Sequence, residues 1–455
     1  MKIQTINPAT GETIKTYDEM SLKEVENIID ESHQAYLEWK KTSFAERAKL
    51  MNKTGEILRA RQQEFAEVIT QEMGKPITAA QAEIEKCAWI CEHYAKEAEH
   101  YLTPRAIQTN NSKSYVVYKP LGIVFAIMPW NFPFWQVFRF AVPNMMAGNA
   151  GLLKHAPIST GAALKIEEIF QDAGFPKHLF RSLILSNETA AKVMGHPHVI
   201  AVTLTGSVRA GRSIASTAGN ALKKVVLELG GSDPYIVLDD ADIELAVDAC
   251  IASRLNNTGQ VCIAAKRIIV NKKIYDAFLK LLIEKIKHYI VGDPMDPTVT
   301  IGPMSREDLR EEVHRQVLDS IKNGATLVMG GEIPKTKGFY YPITLLTDVK
   351  PGMPAYDEEI FGPVVVLIKA EDEAHAIEIA NDSKFGLAGA VFTKDIERGE
   401  RLAAEDIEVG SCAINMFVAS DPRLPFGGIK ESGYGRELSE EGIKSFVNVK
   451  TIVVK

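Results

Sequence analysis

The sequence predicts an α/β protein built on two parallel sheets, each with helices on both faces. Three observations predict it. From Gly122 to about Leu229 the pattern runs strand, loop, helix, repeatedly, which is the signature of an open parallel sheet. A second alternation of the same kind starts near Gly230. Two stretches with β-type alternation, Ser114 to Tyr118 and Ser445 to Lys455, stand apart from both and need partners. They are expected to pair with each other or with another subunit.

In chain order, residues 21 to 102 alternate helical patterns with short turns. Ser21 reads as an N-cap with Glu24 as its capping partner. Phe44 to Thr70 and Ile77 to Tyr101 carry apolar residues at helical spacing. Gly122 to Ile127 reads as a buried strand, Gly151 to Lys154 as a short one ending in a lysine, and Gly161 to Ala173 as a helix. Leu183 to Leu185 reads as a strand, Ala190 to Met194 as a helical turn, Ile200 to Leu204 as a strand and Ala210 to Ala218 as a helix. Val225 to Glu228 is an apolar strand ending in a carboxylate. In the second alternation, Ala241 to Arg254 and Lys273 to Tyr289 read as helices. Arg267 to Val270, Thr326 to Val328, Tyr341 to Leu345 and Val364 to Lys369 read as strands.

At 455 residues the chain is too long for one ordinary core, so several domains are expected. Its 46% hydrophobic and 24% charged content is that of a globular protein. A net charge of −7 argues against nucleic acid or a membrane surface as partner. No apolar run is long enough to span a bilayer, and Met1-Lys2-Ile3-Gln4 lacks a signal-peptide core, so a cytoplasmic location is expected. Five scattered cysteines fit a reducing compartment. Cys87 and Cys91 lie one helical turn apart with His93 nearby, but they lack a second ligand cluster, so no metal is expected.

The chemistry centres on Asn256-Asn257-Thr258-Gly259-Gln260-Val261-Cys262, where a cysteine sits in a polar loop between a helix and a strand. Glu228 lies 34 residues earlier, at a strand end before two glycines. A thiol and a separate carboxylate base at element ends suggest covalent catalysis. Met128-Pro129-Trp130-Asn131-Phe132-Pro133 brackets the Asn131 amide between prolines at a strand's carboxyl end. Such a fixed donor can form an oxyanion hole with the Cys262 N–H; otherwise it caps the following helix. Thr205-Gly206-Ser207 leads from strand to helix and can hold a phosphate at the helix N-terminus, although it is not the usual glycine fingerprint. Lys154 ends a strand within reach of a ribose or its phosphate. Glu359 can accept ribose hydroxyls, and Phe361 can pack beside a ring. Pro425 to Glu437 holds four glycines, which implies a tight backbone course.

Together these motifs resemble the NAD(P)-dependent aldehyde dehydrogenase superfamily, from Asn7-Pro8-Ala9-Thr10-Gly11-Glu12 to Arg436-Glu437. Pro129-Trp130-Asn131-Phe132-Pro133, Glu228-Leu229-Gly230-Gly231, Gly259-Gln260-Val261-Cys262 and Glu359-Ile360-Phe361-Gly362-Pro363 occur in the family's order, and the step from Glu228 to Cys262 is the family's spacing. The resemblance implies two Rossmann-like parallel-sheet domains and a small β oligomerisation flap. Residues 1–103 and 121–229 would bind the dinucleotide, 230–435 would form the catalytic domain, and 104–120 with 436–455 would form the flap of a homodimer or homotetramer. It implies that Cys262 attacks an aldehyde, that Asn131 and the Cys262 N–H hold the oxyanion, and that Glu228 activates water to hydrolyse the thioester. Trp130, Lys154, Thr205, Gly206, Ser207, Leu229, Glu359 and Phe361 would hold NAD or NADP.

Within the family the sequence looks like a shorter bacterial branch of succinate-semialdehyde dehydrogenases. Arg139, eight residues past Asn131, would grip the substrate carboxylate, assisted by Ser420. The alternative is an Arg139 paired with a local acid. There are departures. Asn256 stands where some relatives have a second arginine, Ser232 follows Gly230-Gly231 in place of lysine, and Ala264, two residues after Cys262, stands where some relatives have the cysteine of a redox-switch disulfide, which therefore cannot form here. Pro157 replaces the glutamate of many NAD-preferring members, which removes a repulsion against a 2′-phosphate but supplies no contact. The expectation leans to NAD with NADP tolerated. Other readings are glutarate semialdehyde or a general aliphatic aldehyde as substrate, release of a coenzyme A thioester, and a non-catalytic cofactor-binding member of the fold.

Overall fold

The computed structural model describes residues 2–455. Two open sheets carry the fold. The first has six strands in the spatial order Gly433–Tyr434, Lys224–Glu228, Val199–Thr205, Ile123–Met128, Ala150–His155 and Phe180–Ser182. All neighbours are parallel except the edge strand Gly433–Tyr434, which runs antiparallel to Lys224–Glu228. The second has seven, in the order Thr326–Met329, Thr344–Thr347, Val364–Ala370, Ala265–Asn271, Asp233–Val237, Ala388–Phe392 and Ser411–Ile414, and only its first pair is antiparallel. Helices cover both faces of a parallel sheet, so its central strands read as continuous apolar runs. Every residue of Ala265–Asn271 is buried, as is all of Ile123–Met128 but one.

The helical region precedes the first sheet. Ser21 and Ser43 each cap a helix, Leu22–Trp39 and Phe44–Ala60, in a reciprocal box with Glu24 and Glu46. Each cap contributes about 1 kcal/mol. The run Phe44 to Thr70 is two helices, not one. Arg61 leaves helical geometry (φ −114°, ψ 24°) between them, and its guanidinium reaches Glu64, Glu168 and Asp172. Ile77–Tyr101 is a single long helix, as the spacing predicts.

Two strands are displaced from their expected places. The pairing partner of Gly151 to Leu153 is Phe180–Ser182, not Leu183 to Leu185. Tyr341 to Leu345 becomes Thr344–Thr347, because Pro342 has no N–H to give a sheet. The two detached stretches do find each other. Lys113–Pro120 pairs antiparallel with Val447–Val454 along its whole length, and Arg105–Ala106 adds a third strand. Val447–Val454 is the edge of that sheet and exposes Val449, Val453 and Val454. No helix among the described residues is long and apolar enough to cross a membrane.

Candidate active site

In the first sheet the chain builds outward from Ile123–Met128 in one direction, then returns to lay Val199–Thr205 on its other side. A crevice opens at the carboxyl ends of two strands where the winding reverses. The loops leaving these two strands are Pro129-Trp130-Asn131 and Gly206-Ser207, and both line a cavity of about 230 Å³. Ser207 caps the helix Val208–Asn220, its hydroxyl accepting from the Ala210 N–H at 3.3 Å. The Trp130 and Phe361 rings meet edge to face at 5.8 Å. Thr205, Leu229 and Glu359 complete the wall, so seven of the eight residues expected to hold a dinucleotide share one cavity. Lys154 is the exception. It is buried at the end of Ala150–His155, outside the cavity wall, with no carboxylate ion-paired to it among the described residues. Glu359 is already engaged: it accepts from Lys266 Nζ at 2.6 Å and from the Gly231 N–H at 3.1 Å.

Cys262 leaves a strained turn. Asn257 and Thr258 sit in the left-handed region, at φ 50° and 58°, and Thr258 is β-branched, so the surroundings must hold it there. Gly259 follows at φ 74°, and a Cβ there would come within 2.1 Å of the Gly362 carbonyl. The holding residue is Arg254, fully buried at the end of the helix Ile243–Leu255. Its guanidinium donates to the carbonyls of Val364 and Gly362 at 2.5 Å, Ile360 at 2.9 Å and Gly259 at 3.3 Å. The cysteine turn is thereby clamped to the loop that carries Glu359 and Phe361. Asn131 is tied in as well. Its Nδ2 donates to Gln260 O at 3.0 Å, and its own carbonyl accepts from Asn257 Nδ2 at 2.8 Å. The Cys262 N–H donates to no acceptor among the described residues and is free to bind an oxyanion.

Cys262 is half-buried and borders a second cavity of about 220 Å³, which also holds Arg139, Ser420, Trp135 and Phe426. Only Cys262 and Gln136 belong to both cavities. Arg139 lines the second cavity as expected, but it also has an acid partner, and not a local one. Its Nε is ion-paired with buried Glu437, Nη2 donates to Thr205 Oγ1 at 3.3 Å, and the guanidinium lies 4.7 Å from the centre of the Phe426 ring. The acid lies nearly 300 residues away in sequence, so no local pattern could reveal it. Ser420 Oγ accepts from Lys86 Nζ at 2.9 Å.

Glu228 borders neither cavity. It is buried beside Thr205, its register partner, and both its carboxyl oxygens are without hydrogen bonds. Burial, and then the Glu437 charge, push its carboxyl well above the usual range. Burial also raises the Cys262 thiol, to about 11, against the pull of Lys266 and Arg139. Lys266, Gln136, Lys86 and Arg254 are the site residues that reading the sequence missed. Each lies on an ordinary helix, strand or loop pattern and becomes special only through long-range contacts. Cys87 and Cys91 are buried along their helix, and no group of three possible metal ligands occurs among the described residues.

A half-buried thiol where two cavities meet, one of them at a sheet's winding reversal, is the arrangement of an enzyme that can hold a substrate on sulfur beside a bound nucleotide. Residues 1–452 match the aldehyde dehydrogenase family, and the chain belongs to that family. It is 46% identical over 448 residues to a succinate semialdehyde dehydrogenase [NAD(P)+] of Escherichia coli, covering 98% of this chain and 97% of that protein. It is 46% identical over 452 residues to a probable succinate-semialdehyde dehydrogenase [NADP(+)] of Synechocystis sp., covering 99% of each. Among solved structures it resembles succinic semialdehyde dehydrogenase from Streptococcus pyogenes in complex with NADP+. That match has a TM-score of 0.97 and 40% identity over 99% of both chains. Dependence on NAD(P) is thus supported, while the lean to NAD finds no support in these relatives.

Proposed function

We propose that this protein oxidises succinate semialdehyde to succinate with NADP, and that Cys262 carries the acyl group in between. One observation carries the reading: Cys262 stands where a cavity of dinucleotide type meets a second cavity whose wall includes cationic and hydroxyl side chains. The relatives named for succinate semialdehyde and NADP support it. The aromatic pair Trp130 and Phe361, the helix start at Gly206-Ser207, and Thr205 and Leu229 fit the nicotinamide half of the cofactor. Bound there, the cofactor supplies the hydride acceptor.

The remaining steps belong to this chain. The Cys262 thiol loses its proton to water, and the thiolate sulfur bonds to the aldehyde carbon as the carbonyl electron pair moves to oxygen. The Asn131 amide and the Cys262 N–H hold the oxyanion, with the charges of Lys266 and Arg139 nearby favouring the anionic form. Loss of hydride from that carbon leaves a thioester. Glu228, whose carboxyl points away from both cavities in this structure, turns toward Cys262 and takes the proton of the water that attacks the thioester, then passes it to the departing sulfur, so that the acid and the thiol are released. Lys154, buried with no carboxylate ion-paired to it among the described residues and only the charge of Glu19 near it, stands next to a loop that has Pro157 in place of a carboxylate, and so favours a cofactor bearing a 2′-phosphate.

The exposed edge of Val447–Val454 supports assembly into a homodimer or homotetramer, which light scattering on the purified protein would count. We assign the dinucleotide-binding part to the first sheet, the catalytic part to the second and the flap to the three-stranded ribbon, with Gly433–Tyr434 crossing from the catalytic part to the edge of the first sheet. Unpaired cysteines keep a reducing compartment such as the cytoplasm as the proposed location. The direct test is purified protein with NADP and succinate semialdehyde. Reduced cofactor should form, and Cys262→Ala should abolish it. No reduction with any aldehyde would refute the reading.

A further inference from the structure

Two cations line the cavity that Cys262 shares with Ser420: Arg139 and Lys86. Their charges are not equally available. Arg139 is paired with Glu437, bonded to Thr205 and stacked on Phe426. Lys86 lies on the helix Ile77–Tyr101, on the face that presents Ala79 and Ala82 to the cavity. Its Nζ donates to Ser420 Oγ at 2.9 Å and sits 4.4 Å from the centre of the Trp135 ring. Among the described residues no carboxylate lies within ion-pair distance of it.

The nearest acids are committed elsewhere. Glu83 is ion-paired with buried Lys75 and accepts from the Phe134 and Trp135 N–H groups, both at 2.9 Å. Asp421 is ion-paired with Arg423 at 2.6 Å. A largely buried ammonium with one hydroxyl and one aromatic face is short of a partner, and a carboxylate brought by a ligand would supply one.

We propose that Lys86, steered by Ser420 and Trp135, is the cation that binds the remote carboxylate of an ω-carboxylated aldehyde, while Arg139 serves mainly as the partner of Glu437. This rests on the succinate-semialdehyde reading above. The side chain's environment agrees with a role in binding an anion. Burial, and then the Arg139 charge, lower Lys86 to about 8, and Cys87, Asp421 and Glu83 oppose the fall. A bound carboxylate stabilises the protonated form. Selectivity for the charged aldehyde is therefore present below about pH 8 and lost above it.

The experiment measures kcat/KM for succinate semialdehyde and for butanal, with NADP, on the same preparations of wild type, Lys86→Met and Lys86→Arg. A fraction that fails to fold cancels in the ratio of the two values. The ratio should fall at least about tenfold in Lys86→Met, the scale of a lost charge-assisted hydrogen bond, and recover in Lys86→Arg. A wild-type ratio near one would sink both this inference and the substrate reading. A high wild-type ratio kept in Lys86→Met would overturn the Lys86 inference alone. A second measurement needs no variant. Succinate should protect Cys262 of the wild type from alkylation, and the protection should fade as pH rises through about 8. Protection unchanged to pH 10 would overturn the assignment.

Discussion

Replacing Arg254 by methionine removes the clamp between the cysteine turn and the loop of Glu359 and Phe361. The size of the effect follows from what the guanidinium touches. Three buried carbonyls, those of Val364, Gly362 and Ile360, lose donors at 2.5–2.9 Å, and Gly259 loses a weaker one at 3.3 Å. Gly362 O keeps a second donor, the Val364 N–H at 2.8 Å, so the other two short bonds, at about 1–3 kcal/mol for each carbonyl left without a donor, set a lower figure of about 2 kcal/mol. Methionine avoids the desolvation of a buried charge, which holds the total to about 5 kcal/mol. The clamp also holds Asn257 and Thr258 in a conformation they would otherwise leave, at about 1–3 kcal/mol each, so the cysteine turn should relax. Urea unfolding followed by tryptophan fluorescence should show the loss of stability. Steady-state assays should show kcat falling at least about tenfold even where the variant is folded, because a small displacement of a nucleophile carries that cost. A variant within about 1 kcal/mol of wild type, with kcat intact, would refute the clamp.

Three further outcomes follow from the same geometry. Gly259→Ala places a methyl within 2.1 Å of Gly362 O at a positive φ and should abolish activity, whereas Gly195→Ala, with nothing within 4 Å, should not; equal activities would contradict the crowding. Lys154→Ala should raise KM for NADP more than KM for NAD, and an equal rise would remove Lys154 from phosphate recognition. In the cofactor-free enzyme, iodoacetamide alkylation of Cys262 should climb about tenfold per pH unit through pH 9 without levelling, since its thiol is raised to about 11. A plateau below pH 8 would mean a thiolate already formed.

Much of the site was legible in the sequence because its parts sit in loops at strand ends, where residue type and neighbours carry the meaning. Asn131 between prolines, Gly206-Ser207 before a helix and Gly259 before Cys262 could each be read locally. The capping box of Ser21 and the span Ile77–Tyr101 were legible for the same reason. Contacts that depend on tertiary folding were not. Glu437 reaches Arg139 from nearly 300 residues away, and Lys86 looks like any polar position on an amphipathic helix until Ser420 and Trp135 close over it. In the second sheet, Asp233–Val237 carries a proline near its start, which argues against a central strand by pattern alone, yet Ala265–Asn271 and Ala388–Phe392 flank it. The helix Glu307–Lys322 hides its apolar stripe, Leu309, Val313 and Val317, under a heavily charged surface. Glu228 was legible as a strand-end carboxylate, but not the direction of its side chain, which lies behind the cavity wall, toward Gly427 and Glu437.

The most direct test of the division of labour between Cys262 and Glu228 is the intact mass of Glu228→Gln after mixing with NADP and succinate semialdehyde. The protein should gain one succinyl group, located by peptide mapping on Cys262, with about one reduced cofactor formed per subunit before turnover stalls. A variant that turns over freely with no acyl group on Cys262 would contradict the account.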